Sequence, residues 1–186
     1  MIYSPLRIYL SAGHNNSDPG AVANGYKEAD ITKIIRDATA KHSKATDLVL
    51  DKDWETNRQY QTRIKPGAGS VLNDLHLNAA KSSTTRGVES YVPKKDFADK
   101  NSMSYRMADE INQFLSKVLE IPNRGVKPEN ASQHKSIGIL NLGAGCAVLT
   151  ELDFITGTNA VETILKNKDV IGKGLAEIHQ KYDDMK

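Results

Sequence analysis

The sequence predicts an α/β fold: one domain over residues 1–186, with a central mostly parallel or mixed β-sheet flanked by helices on both faces. Short apolar runs alternate with longer stretches of helical period along the whole chain, as in a sheet whose strands are joined by covering helices. No internal repeat, low-complexity tract or interdomain linker breaks that alternation. Leu6–Ser11 is a β-type run ending at Gly13. Ala29–His42 reads as a helix with Ile31, Ile34, Ile35 and Ala38 on its apolar side. Asp47–Leu50 is a short apolar run, and Glu55–Lys65 a weaker, polar helix stopped by Pro66. Val71–Leu77 reads as a strand, and Gly87–Val92 alternates like a half-buried one. Met103, Met107, Ile111, Phe114, Leu115 and Val118 recur at steps of three and four, which predicts an amphipathic helix. Ile137–Leu140 and Ala147–Leu152 are strand candidates. Val161, Ile164, Leu165, Ile171, Leu175 and Ile178 mark one final helix, and Tyr182–Lys186 reads as a frayed polar end.

Of the 186 residues, 39% are apolar and 26% charged, enough for one core. The formal net charge of +2 lacks the strongly basic profile of a nucleic-acid binder and is compatible with an anionic polymer substrate without pointing to one. One cysteine, Cys146, rules out an internal disulfide; beside Gly145 and Ala147 it reads as a small core residue. No run reaches the roughly 18 apolar residues that cross a bilayer. Met1–Ala12 has no basic region followed by a long apolar one, so a chain made without a signal peptide, or with one removed, is expected.

In open α/β sheets, sites gather outside the carboxyl ends of the strands. His14 follows the first strand, in a loop where Gly13 and Gly20 permit tight turns and Pro19 stiffens the backbone. Glu28 stands at the start of the first helix, His76 interrupts an apolar strand beside Asn78, and Glu151 is embedded in the run AVLTELDF. Hydrolytic zinc takes three protein ligands from imidazole nitrogen and carboxylate oxygen, with a further carboxylate as general base. Two histidines and a glutamate from three elements can supply that set. Each also has a structural reading: His14 as a hydrogen-bonded loop residue, Glu28 as a carboxylate favoured by the helix dipole. A buried imidazole at His76 and a buried carboxylate at Glu151 both demand partners. His42 and His179 lie on helices among charged residues and need no function; His134 reads as a solvated loop histidine.

These residues sit in blocks that resemble the zinc-dependent N-acetylmuramoyl-L-alanine amidase family of cell-wall lytic enzymes. The blocks are Ile8–His14 followed by Asp18–Ala21, then Glu28, His76–Ala79, Gly87–Tyr91, Arg124–Lys127 and Val148–Ile155, in the family's order. The resemblance implies one Zn2+ held by His14, Glu28 and His76, with Glu151 as the catalytic carboxylate. It implies cleavage of the amide between N-acetylmuramic acid and L-alanine in peptidoglycan, with a mixed α/β fold. Arg124 is then a candidate for holding a substrate carboxylate or oxyanion, or for a surface or structural salt bridge, and Asn78 for substrate binding, for orienting His76 or for capping the strand end.

The chain departs from the family at Leu50–Trp54, which lacks the usual Thr-Arg pair, although Arg63 stands where a later family arginine would. Asp74 replaces a small residue and Asp153 a glycine. The alternative function is a catalytically inactive module that binds peptidoglycan. A cysteine peptidase built on Cys146 is disfavoured, because nothing nearby lowers its pKa. Action on the cell wall is expected, as a phage lysin held in the cytoplasm before release or as a secreted enzyme with its signal removed.

Overall fold

The computed structural model describes residues 7–133 and 135–185. In chain order the elements are β1 (Ile8–Ala12), β2 (Val22–Ala23), β3 (Tyr26–Lys27), α1 (Glu28–His42), β4 (Val49–Leu50) and α2 (Asn57–Arg63). Then come β5 (Val71–Asn78), β6 (Val88–Val92), α3 (Lys94–Ala98), α4 (Met103–Leu119) and β7 (Asn123–Pro128). Two 3-10 turns (Glu129–Ala131 and Gly138–Asn141), β8 (Cys146–Phe154), α5 (Ala160–Lys166) and α6 (Lys168–Asp184) complete the chain.

Six strands form one mixed sheet in the order β4-β1-β5-β8-β6-β7, with every neighbouring pair parallel except the antiparallel β6/β8 pair. Strand alternation sorts the central strands into two faces. Leu10, Leu75, Val88, Val148 and Leu152 pack with Ile35 of α1, Ile111 and Leu115 of α4, and Leu175 of α6. On the opposite face Tyr9, Leu72, Tyr91 and Leu149 pack with Tyr60 and Ile64, around α2, and with Ile139 and Leu140 of the second 3-10 turn. One face thus carries three long helices and the other a thin, partial cover. A buried polar chain stitches the thick side: Thr150 Oγ1 donates to Asn73 Oδ1 (2.9 Å), and Asn73 Nδ2 donates to His179 Nε2 (3.0 Å). His179, expected among charged residues, is therefore a core residue, and burial pushes its imidazole down to about 4.

Most expected elements are present, with instructive shifts. Ile34 is exposed, because Thr32 and Thr39 complete the buried stripe of α1 beside Ile31 and Ile35. Ile137–Leu140 is not a strand but enters a 3-10 turn. The final helix is two: Asn167 leaves helical geometry (φ −101°, ψ 8°), ending α5 and starting α6. Tyr182 is buried within α6 rather than frayed. Asn123–Pro128, for which the periodicity predicts no element, supplies edge strand β7, where Pro128 is tolerated. The hairpin β2/β3, absent from the sequence reading, turns on Asn24-Gly25 with both residues at positive φ (53° and 81°), the backbone that this dipeptide favours. Cys146 is buried, as expected. Leu6, Lys186 and His134 lie outside the described residues.

Candidate metal centre and cleft

The cleft opens on the thinly covered face, at the carboxyl ends of β1, β5 and β8. Its neighbours β1 and β4 run to one side and β5 to the other, so it occupies the crevice where strand order reverses. It encloses about 400 Å³, with His14, Glu28, His76 and Glu151 among its lining, Asn57 and Gln61 of α2 on one wall and Ile137 on another. Before α2, Trp54 stands 64% exposed with Lys52 Nζ 5.1 Å from its ring centroid. That segment is tied to the loop after β1 by Asn16 N donating to Asp53 O (2.8 Å).

Each site side chain has a local cause. His14 takes a left-handed conformation (φ 70°) directly after β1, and Asp18 closes the loop by pairing with Asn15. Gly20 is at φ 65°, as a tight turn requires, and a Cβ there would strike His14 and Glu28. Gly13 serves differently from the turn expected of it: its φ is ordinary, but a Cβ would collide with the His76 ring. Glu28 is the first residue of α1, and its two oxygens are fixed by the backbone: Ala21 N donates to Oε2 and Leu77 N to Oε1, each at 3.0 Å. His76 is on β5, level with Glu151 on β8, which is in turn level with Glu89 on β6. Asp74, two residues before His76, shares its face of the strand.

Glu28 joins the two histidines, with His14 Nε2 3.1 Å from Oε2 and His76 Nδ1 3.0 Å from Oε1. One nitrogen or oxygen from each of the three lies within 4.8 Å of the others, a geometry open to a metal ion. The far side of each ring also meets a carboxylate: His14 Nδ1 is 2.9 Å from Asp18 Oδ2, and His76 Nε2 is 3.1 Å from Asp74 Oδ2. Burial alone would push Glu28 up, but the two imidazoles hold its carboxyl far below the usual range. Burial would lower both imidazoles; Glu28 and Asp18 raise His14, and Asp74 and Glu28 raise His76 well above its ordinary value. Burial pushes the Glu151 carboxyl up to about 7 against the pull of His76, and its Oε2 is buried with no hydrogen-bond partner among the described residues. A nitrogen–oxygen donor set of two histidines and a glutamate, beside an unpartnered buried carboxylate, fits a zinc site with one open position.

The other two expected residues both meet Glu89 of β6, Asn78 from the end of β5 and Arg124 from β7. Arg124 Nε donates to Glu89 Oε2 (2.7 Å), and its guanidinium is 5.0 Å from the Phe154 ring centroid. Asn78 Nδ2 donates to Glu89 Oε1 (3.0 Å), so its side chain is directed to Glu89 rather than to the His76 ring. Lys127 and Tyr91 complete the shell around Glu89, at 2.6 and 2.9 Å. The sequence reading assigned no role to Asp18, Asp74 or Glu89. Period-two alternation could have marked Asp74 beside His76 and Glu89 as a charge on a buried strand face. Asp153, out of place for the resemblance, is buried and accepts from Arg86 Nε (2.7 Å) and Gly87 N (2.8 Å).

A sequence model of the family described as N-acetylmuramoyl-L-alanine amidase matches residues 8–178. The chain is 30% identical to "Probable autolysin PH" of Staphylococcus aureus, over 97% of this chain and 40% of that protein. It is 31% identical to the endolysin of Bacillus phage SPP1, over 92% of this chain and 62% of the phage protein. The chain thus spans less than two thirds of the length of either. Among solved structures, an N-acetylmuramoyl-L-alanine amidase from Clostridium difficile 630 superposes with a TM-score of 0.79 at 22% identity, covering 97% of this chain and 98% of that one. That likeness establishes the fold.

Proposed function

The chain belongs to the N-acetylmuramoyl-L-alanine amidase family, and on that premise we propose that it is a zinc-dependent hydrolase of the amide joining N-acetylmuramic acid to L-alanine in peptidoglycan. In this reading residues 1–186 are one catalytic domain acting on the cell wall. His14, Glu28 and His76 hold the zinc ion, and Glu151 is the catalytic carboxylate. The convergence of those three ligand groups beside the unpartnered Glu151 Oε2 carries the proposal.

When bound, zinc supplies a Lewis acid for the scissile carbonyl and lowers the pKa of water. Glu151 takes a proton from the attacking water and delivers it to the departing alanine nitrogen, as the C–O bond forms and the C–N bond breaks. Burial favours the protonated carboxyl at Glu151 and the zinc charge favours the carboxylate, so the group can both accept and return a proton. The cleft walls exclude water from part of the substrate, while Arg124, whose fork suits planar anions, and Asn78 bind substrate near the Glu89 end.

The test is digestion of purified peptidoglycan, followed by mass spectrometry and amino-terminal analysis. New L-alanine amino termini that disappear with a chelator and return with zinc are expected. Intact muramoyl amides with zinc present would refute the proposal.

A further inference from the structure

We infer that Asp74 is a positioning residue for the metal centre, fixing His76 with hydrogen on Nε2 and its Nδ1 turned to the ion. The inference rests on the zinc reading above and adds a residue that the family resemblance does not supply, since Asp74 replaces a small residue there. Asp74 and His76 stand two apart on β5, on one face of the strand. Asp74 Oδ2 lies 3.1 Å from His76 Nε2, while His76 Nδ1 faces Glu28 Oε1 at 3.0 Å. A carboxylate faces each ring nitrogen, but Glu28 is itself a ligand in the zinc reading, so Nδ1 beside it is left for the ion and Nε2 keeps its hydrogen toward Asp74.

Asp74 is itself held rigidly. It is 6% exposed, and its Oδ1 accepts from Ser11 Oγ at 2.6 Å. Ser11 is its register partner on β1, so neighbouring strands set the carboxylate before any ion arrives. A carboxylate on the outer nitrogen of a ligand histidine orients the ring and raises its basicity; removing one commonly weakens metal affinity 10- to 100-fold. Asp18 plays the matching part for His14, but from a loop and with its side chain 53% exposed. Solvent screens that pair, so the buried Asp74 is the stronger of the two.

The experiment measures zinc Kd by competition with a chromophoric chelator for the wild type, D74N, D18N and S11A, alongside the melting temperature of each zinc-free protein. D74N is expected to weaken zinc binding about 10- to 100-fold, more than D18N, with S11A intermediate. NMR of the zinc-loaded wild type, which needs no variant to fold, is expected to show His76 with hydrogen on Nε2. Unchanged zinc affinity in a folded D74N, or coordination of His76 through Nε2, would overturn the inference while leaving the zinc reading intact. A wild-type chain that takes up no zinc would overturn both.

Discussion

His179 offers a prediction that is independent of the metal. Its imidazole is buried against Asn73 and held neutral, with its pKa lowered from 6.5 to about 4 by burial. A histidine with a depressed folded pKa lets the unfolded chain bind more protons between those two values. Its contribution to stability is therefore complete above about 6.5 and is lost as the pH falls toward 4. Moving from pH 7.5 to pH 5 should remove about 2 kcal/mol through this residue alone, from 1.36 kcal/mol per unit applied to the two titration curves. The histidines of the cleft have raised pKa values and act with the opposite sign, so the raw pH dependence mixes both. The His179→Gln variant isolates the buried group, because a glutamine carbonyl can still accept from Asn73 without titrating. Urea denaturation at both pH values, with chelator present throughout, gives the comparison. The stability of the wild type relative to His179→Gln should fall by about 2 kcal/mol on acidification, equivalent to about 4–8 °C in Tm. A difference between the two proteins that stays constant with pH would refute the assignment of a buried neutral imidazole.

Other consequences are equally accessible. Glu151→Gln should keep zinc, measured by elemental analysis, and lose roughly 100- to 10,000-fold in turnover on peptidoglycan; loss of the metal instead would make Glu151 a ligand. Because the His14 and His76 imidazoles are both raised, protons compete with the ion, and below pH 6.5 zinc affinity should fall by up to about 100-fold per pH unit. Calorimetry in buffers of different ionisation enthalpy should then show proton release on uptake, and a pH-independent Kd would contradict it. Asp153→Ala strands Arg86 and the Gly87 amide, and should cost about 1.5–3 kcal/mol in urea denaturation without changing zinc Kd. Gly13→Ala drives a methyl into the His76 ring, and should weaken zinc binding more than it lowers Tm.

The elements that the sequence made legible are those with one dominant period. β5 and β8 are buried apolar runs, and α4 repeats at three and four because one side meets the sheet. Ile34 was misplaced because it lies at the margin of its stripe, where two threonines decide which side turns inward. The helix break at Asn167 left the apolar spacing unbroken, so periodicity ran through it. The hairpin at Asn24-Gly25 carried a readable turn signal, but its strands are two residues each, too short to show alternation. At the candidate site, His14, Glu28 and His76 were singled out through the resemblance; their convergence depends on a parallel β1/β5 pair and on where α1 begins. Arg124 and Asn78 were singled out one by one, and Glu89, their shared partner, becomes visible only when β6, β7 and β5 are assembled.

Trp54 is the chain's single tryptophan, and it stands 64% exposed on the segment before α2. Indole emission from the folded protein therefore already has the wavelength of a solvated fluorophore. A thermal scan followed at that wavelength will register little when the core melts, so circular dichroism or the seven tyrosines are the better optical reporters of unfolding. The same indole is a clean, label-free probe of the surface beside α2.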